Sequence, residues 1–292
     1  MLYCEIMPPP AFSPKPADEI RSQTLASARH RSLLAFGSGT VIGVLGGLIG
    51  LGGAEFRLPL LVGTFRLSIL LSVVVNLLIS LVTVTFSILF RLPVQGATLW
   101  MAHWPVVINL LAGSLLGSLS GTHLAKTATA QWLKGVIAVL LALLGILLIG
   151  HEWIFAQQPF ALAPVPRLLF GLVAGFGIGL VSSLLGVAGG ELLIPTLALL
   201  YGLEIKLAGS LSLLISLPTV LMGLWRYSRQ AVFGQVQAQL GLVTWMALGS
   251  ILGAYLGSLL LPYAPGVFLQ VLLGFILLFS AYRIWRSHEH RQ

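Results

Sequence analysis

Charge is what this chain has least of. Only 8% of its 292 residues are Asp, Glu, Lys or Arg, and only 8 of them are acidic. A soluble domain carries about 25% charged residues. An ordinary soluble protein is therefore excluded, and 57% hydrophobic residues with a mean hydropathy of +0.99 indicate an integral membrane protein. Cysteine is nearly absent as well. A single Cys4 in the N-terminal tail excludes an intramolecular disulfide, a cysteine metal cage and a cysteine redox pair. No apolar signal segment precedes Cys4, which disfavours lipidation there. The chain shows no Ser/His/Asp set, no metal-ligand spacing and no nucleotide loop. Its glycine runs do not follow a strand, as a dinucleotide fingerprint would require. No catalytic residue, metal or cofactor is therefore expected. The net charge of +8 does not imply nucleic acid, because the basic residues lie in loops and tails between apolar runs, as cytoplasmic anchors do.

What the chain does have, it has twice. Gly50-Leu51-Gly52-Gly53-Ala54-Glu55-Phe56-Arg57-Leu58-Pro59 closes the first apolar segment, and Gly186-Val187-Ala188-Gly189-Gly190-Glu191-Leu192-Leu193-Ile194-Pro195 closes the fifth. One offset of 136 positions carries Glu55 to Glu191 and Pro59 to Pro195. The same offset carries Leu77-Leu78-Ile79-Ser80 to Leu213-Leu214-Ile215-Ser216, and the ladder Gly113, Gly117, Gly121 to Gly249, Gly253, Gly257. A gapless match of this kind is an internal duplication. Backbone that leaves a helix in hydrocarbon loses hydrogen bonds worth several kcal/mol each, and it survives only where protein or a water-filled cavity surrounds it. A matched pair of Gly/Pro-interrupted segments in two halves points to a transporter's substrate site.

Read in order, residues 1–32 are a proline-rich polar stretch expected as a disordered cytoplasmic tail, within which Glu19 to Arg31 could form a surface helix. The first membrane repeat spans 33–150, an aromatic and proline-rich linker 151–166, the second repeat 167–285 and a basic tail 286–292. The expected fold is an all-α polytopic membrane protein with two homologous four-segment halves. The orientation of the halves follows from the lysines and arginines. If segments one and five cross fully, 11 of the 16 fall on the side of the termini. If both dip in, break at the glycines and return, 13 fall there, and only Arg91, Arg167 and Lys206 lie opposite. The loop with Lys126 and Lys134 has a bare copy at Leu261 to Pro265, while Arg226 and Arg229 have only Arg91 in the first half. Swapped charged loops favour inverted halves, each opening with a re-entrant-like broken helix, and both termini cytoplasmic.

Each candidate residue has a competing structural role. The glycine ladders have the small-xxx-small spacing of close helix packing. Gly52, Gly53, Ala54, Gly189 and Gly190 instead flank the breaks, where the N–H groups opening a half-helix bind anions. Glu55 and Glu191 alone among the carboxylates lie inside interrupted apolar stretches. They are expected as proton-coupling groups, because burial and a nearby anion both favour a protonated carboxyl. Alternatively each caps its own half-helix, or Glu55 neutralises Arg57. Arg57, whose copy is Leu193, could meet a substrate's second oxygen, pair with Glu191, or snorkel to the interface. Asn76, Ser210 and Ser212 could donate to an oxyanion or bond across helices, as Ser80, Thr83 and Ser216 could. His103, between Trp100 and Trp104, reads as part of an interfacial aromatic belt.

These motifs resemble those of the TauE/SafE family of sulfite and organosulfonate exporter-like permeases, over about Gly39 to Trp285. The family carries two Gly-x-Gly-Gly-Gly stretches, each followed by Pro-Leu. Here they are Gly50-Leu51-Gly52-Gly53-Ala54 before Pro59-Leu60, and Gly186-Val187-Ala188-Gly189-Gly190 before Pro195-Thr196. Lys206-Leu207-Ala208-Gly209-Ser210-Leu211-Ser212 resembles the family's Lys-x-x-Gly-Thr-Ser stretch. Ala54 and Ala188 replace glycines, and Thr196 replaces the leucine. The resemblance implies a multi-pass permease of the cytoplasmic membrane for small sulfur-containing anions. Its partners would be the anion and the bilayer, and a homodimer stays open. An anion channel, an intramembrane enzyme using His103 or a serine, and a structural membrane subunit are the competing readings.

Overall fold

The computed structural model describes residues 17–127, 130–154, 164–185, 189–229 and 231–289. The expected tail up to residue 16, the linker at 155–163, Gly186-Val187-Ala188 of the second glycine run and residues 290–292 lie outside them. Among the described residues all regular structure is helical. The first half holds α1 (Ala17–Ile49), α2 (Ala54–Gly63), α3 (Ile69–Gln95), α4 (Ala97–Ala102), α5 (Trp104–Thr127) and α6 (Ala130–Ile154). The second holds α7 (Pro164–Leu185), α8 (Gly190–Tyr201), α9 (Ile205–Tyr227), a 3-10 helix (Ala231–Gln239), α10 (Leu240–Leu260) and α11 (Gly266–Glu289). Glu19 to Arg31 are thus the opening turns of α1.

Five helical stretches are long and apolar enough to cross a bilayer: Arg29–Ile49, Ile69–Gln95, Val165–Ser183, Ile205–Tyr227 and Val232–Leu260. At 1.5 Å per residue even the shortest of these nearly matches a hydrocarbon core of roughly 30 Å. Val41, Leu116, Phe170 and Phe275 are among many large apolar side chains on the outer surface, where lipid would solvate them. The expected third segment is divided in two: α4 ends at His103, whose Nδ1 lies 2.9 Å from the Leu99 carbonyl oxygen. Trp104 beside it is exposed, whereas Trp100 is buried and donates from Nε1 to Gln95 Oε1 at 3.1 Å.

The glycine ladders are helix interfaces. A Cβ on Gly39, Gly43 or Gly47 of α1 would strike the backbone of Met246, Ser250 or Ala254 in α10. A Cβ on Gly249, Gly253 or Gly257 would strike the backbone of Phe36, Thr40 or Val44. The partner numbers rise together, so the two helices run in the same direction. The pair α5 and α7 repeats this arrangement. Gly175 and Gly179 face Leu110 and Ser114, and Gly113 and Gly117 face Leu172 and Phe176. With no side chain between them the backbones close to direct contact, which is how helices gain packing energy in lipid. α6 lies against α11 and α3 against α9. The largest apolar cluster joins Leu48, Ile49 and Leu51 to Ile178, Leu192, Leu193, Ile194 and Leu211.

Two further contacts fix where the short helices end. Phe65, just beyond α2, lies under the Arg31 guanidinium, 5.9 Å from Cζ to ring centroid. Asn109 Nδ2 donates to the Leu168 carbonyl at the start of α7 and to the Tyr201 hydroxyl at the end of α8, at 3.1 and 2.8 Å. α8 therefore ends near the start of α7, and α2 near Arg31, where the membrane-length part of α1 (Arg29–Ile49) begins.

Gly253→Leu is expected to force α1 and α10 apart and destabilise the detergent-solubilised protein by about 1–3 kcal/mol, the usual penalty of overpacking. Gly177→Ala, whose Cβ would meet nothing within 4 Å, should hold or slightly raise the melting temperature, as alanine is the better helix former.

Candidate functional site

The first glycine run is a break in the helix. α1 makes its last backbone bond from the Gly50 N–H to the Gly46 carbonyl, at 2.9 Å. Gly50, Gly52 and Gly53 then take φ values of 98°, 75° and 73°. This left-handed backbone costs a glycine nothing and strains any other residue. α2 starts at Ala54. The second run ends the same way, with Gly189 at φ 75° opening α8. The two breaks touch: a Cβ on Gly190 would lie 2.9–3.2 Å from the backbone of Leu51.

A helix that stops leaves its last carbonyls without partners, and here side chains from α2, α3 and α9 supply them. Arg91 on α3 donates from Nε to the Gly47 carbonyl at 2.9 Å and from Nη2 to the Leu48 carbonyl at 2.8 Å, while Nη1 donates to Ser210 Oγ at 2.7 Å. Its positive charge also sits at the negative end of the α1 dipole. Ser212 Oγ donates to the Gly50 carbonyl at 2.9 Å, and Asn76 Nδ2 to the Ala54 carbonyl at 3.1 Å. Arg57 Nη2 reaches back to the Gly52 carbonyl at 3.2 Å. Gly209 lets α9 approach this closely, because a Cβ there would fall on the Ile49 carbonyl oxygen and 3.1 Å from Arg91 Nη1.

Arg57 is fully buried. Besides Gly52 its hydrogen-bond partners are Ser80 Oγ at 3.0 Å, Thr83 Oγ1 at 3.2 Å and, at the long limit of 3.5 Å, Asn76 Oδ1. All are neutral, and its Nε has no partner. Glu55 follows the first break and Glu191 the second, each in the first turn of its half-helix. The two carboxyl groups are near enough to act on each other, and Glu55 also feels the Arg57 charge. Both Glu55 oxygens are buried without a well-formed hydrogen bond. Glu191 Oε1 accepts one from Ser280 Oγ of α11 at 3.2 Å. Pro59 and Pro195 stand four residues on, inside α2 and α8. Lacking an N–H, each withholds the bond that the Glu55 or Glu191 carbonyl would otherwise receive.

The residues singled out in the sequence are thus brought together at one place: Gly52, Gly53, Ala54, Glu55 and Arg57 with Asn76, and Gly189, Gly190 and Glu191 beside Leu51. Ser212 and Ser210 sit on the other flank of the first break. Two expectations need correction. Arg57 does not snorkel to an interface, because neutral donors and acceptors of α3 enclose it inside the protein. Arg91 is not a loop cation opposite the termini, because α3 continues to Gln95 and Arg91 faces inward, fully buried. Arg91 and Ser280 are participants that sequence reasoning missed, and Gly209, quoted there only within the Lys-x-x-Gly stretch, was given no part in the break. The apolar Leu92 and Val94 beyond Arg91 were the available signal that the helix had not ended there.

Arg91→Met should strip the Gly47 and Leu48 carbonyls of their donors. At about 1–3 kcal/mol for each buried polar group left unsatisfied, a loss of several kcal/mol in thermal unfolding is expected, with Arg91→Lys falling between the two.

No curated protein and no solved structure matches the chain with significance. The model of the sulfite exporter TauE/SafE family does match, over residues 34–290. Together with the apolar helices, this makes the chain a multi-pass membrane protein that belongs to the TauE/SafE family.

Proposed function

We propose that this protein is a secondary transporter that moves small sulfur-containing anions, sulfite or organosulfonates, across the cytoplasmic membrane. The observation that carries the reading is the contact between the two breaks, Gly190 against the Leu51 backbone. It brings the openings of α2 and α8 to one point, with a buried guanidinium beside them. First-turn amides have no partner within their helix and carry a partial positive charge. The Arg57 Nε is a further unpaired donor. An oxyanion held there near the bilayer midplane would meet Gly52, Gly53, Ala54 and Arg57 from one half and Gly189 and Gly190 from the other, with Asn76, Ser210 and Ser212 as neutral neighbours. Glu55 and Glu191 stand at the same two openings and couple the anion to protons.

The halves are inverted, and each opens with a re-entrant hairpin. The return of α2 to Arg31 and of α8 to Leu168 supports the hairpins. Three crossings in each half then invert the second, and the reciprocal pairing of α1 with α10 and α5 with α7 supports a two-fold relation between the halves, since each long opening helix runs along the third long segment of the other half. Both termini then lie in the cytoplasm with Arg66, Arg226 and Arg229. Removing the buried Arg57 and Arg91 from the loop charges leaves Arg167 and Lys206 opposite, as that orientation requires.

Purified protein in liposomes should carry sulfite saturably, and Gly53→Val or Gly189→Val should abolish the flux while the protein still folds into the detergent-stable form. Flux that survives both substitutions would separate transport from the breaks. In a Cys4→Ser background, Arg66→Cys and Arg229→Cys should label from one face of the membrane and Glu204→Cys from the other. Labelling of Arg66→Cys from the same face as Glu204→Cys would refute the inverted arrangement.

A further inference from the structure

We propose that the buried charged side chains form one balanced set, so that each monoanion crosses together with one proton and no net charge moves. This rests on the transport reading above and adds its stoichiometry. Among the described residues the buried charged side chains are Arg57, Arg91 and Glu191, and Glu55 adds a carboxylate whose oxygens are both buried. Two cations meet two carboxyls, and the set is neutral when both carboxyls are ionised. Neither guanidinium has an acidic hydrogen-bond partner; Arg57 bonds to Asn76, Ser80, Thr83 and Gly52, and Arg91 to Gly47, Leu48 and Ser210. The compensating charge is therefore the carboxyl pair, which sits between the breaks rather than clamped to either arginine.

This arrangement limits what an incoming anion can do. A monoanion added to the set while both carboxyls are ionised leaves one uncompensated charge inside hydrocarbon, which is expensive. The arginines are already charged and cannot answer it. The Glu55–Glu191 pair can, by taking one proton between the two carboxyls. The other titratable or charged groups of the surrounding helices whose side chains are described lie at the helix ends and reach the surface, Arg167 with its Nε alone enclosed. These are Arg29, His30 and Arg31 on α1, Arg167 on α7, Tyr201 on α8, Lys206, Arg226 and Tyr227 on α9, and Tyr282 on α11. Asp18, Glu19 and Arg21 on α1, His123 and Lys126 on α5, Lys134, His151 and Glu152 on α6, and Arg283, Arg286, His288 and Glu289 on α11 have side chains outside the described set.

The test measures charge and protons moved per sulfur in liposomes, with sulfite and methanesulfonate as separate probes. Methanesulfonate keeps one negative charge across the working pH range, so any proton counted with it is carried by the protein. The wild type should accumulate methanesulfonate along a pH gradient, take up one proton per molecule and ignore a potassium–valinomycin potential. Glu55→Gln and Glu191→Gln should lose the proton uptake and become voltage-driven. A potential of 100 mV should then give about 50-fold accumulation, the equivalent of 2.3 kcal/mol per charge. A wild-type flux that carries one charge per sulfur overturns the proposal, as does a silent flux without proton uptake. If neither variant folds, the wild-type measurement alone decides. No flux of either probe overturns the transport reading itself.

Discussion

The structure depends on one constraint: backbone that leaves a helix inside an apolar medium must find its hydrogen bonds elsewhere. α1 stops at Ile49 in the interior, and the carbonyls of Gly47, Leu48, Gly50, Gly52 and Ala54 are answered by Arg91, Ser212, Arg57 and Asn76. These donors come from α2, α3 and α9, so the break holds the two halves together at the same time as it interrupts a helix. Arg91 alone links α1, α3 and α9. Without these bonds the glycine run would be a defect. With them it is a fixed loop from which α2 starts at Ala54.

Glycine does two separate jobs, and the structure tells them apart. In the ladders of α1, α5, α7 and α10 it is small, and the backbones of neighbouring helices touch. At Gly52, Gly53 and Gly189 it is flexible, and the chain takes a left-handed turn. Gly209 belongs to the first kind but serves the second, because its missing side chain lets α9 reach the Ile49 carbonyl. A rigid frame of glycine-packed helices thus surrounds two short segments that depart from it.

Much of this was written in the residues. The duplication, the two interruptions and the small-residue ladders all rest on local spacing that survives without knowledge of distant contacts. The two arginines were not legible in the same way. A basic residue near the edge of an apolar run is normally an anchor at the membrane surface; nothing local to Arg57 says otherwise, and Leu92 and Val94 beyond Arg91 say only that its helix continues. Their burial depends on partners far away in the chain, Ser80 and Thr83 for one and Ser210 for the other. The serines and Asn76 were read as donors to a ligand or as bonds across helices. In the structure they also satisfy the chain's own backbone, which only the three-dimensional contacts of α3 and α9 reveal. Ser280 lies 89 positions from Glu191 and had no sequence signal at all.

The partners of Arg91 are ordered in a way that bears on how the protein is made. Two of them, the Gly47 and Leu48 carbonyls, precede it in the chain, while Ser210 follows 119 residues later. A polypeptide that enters the bilayer from its N-terminus therefore delivers α1 first, and the guanidinium of α3 arrives to find acceptors already waiting. An arginine costs about 2.5–3.5 kcal/mol at the centre of a lone spanning helix and less toward its ends, and Arg91 stands four residues before the end of α3. Here the nascent first half can shelter that charge by itself, long before the ribosome has reached the helix that completes its coordination.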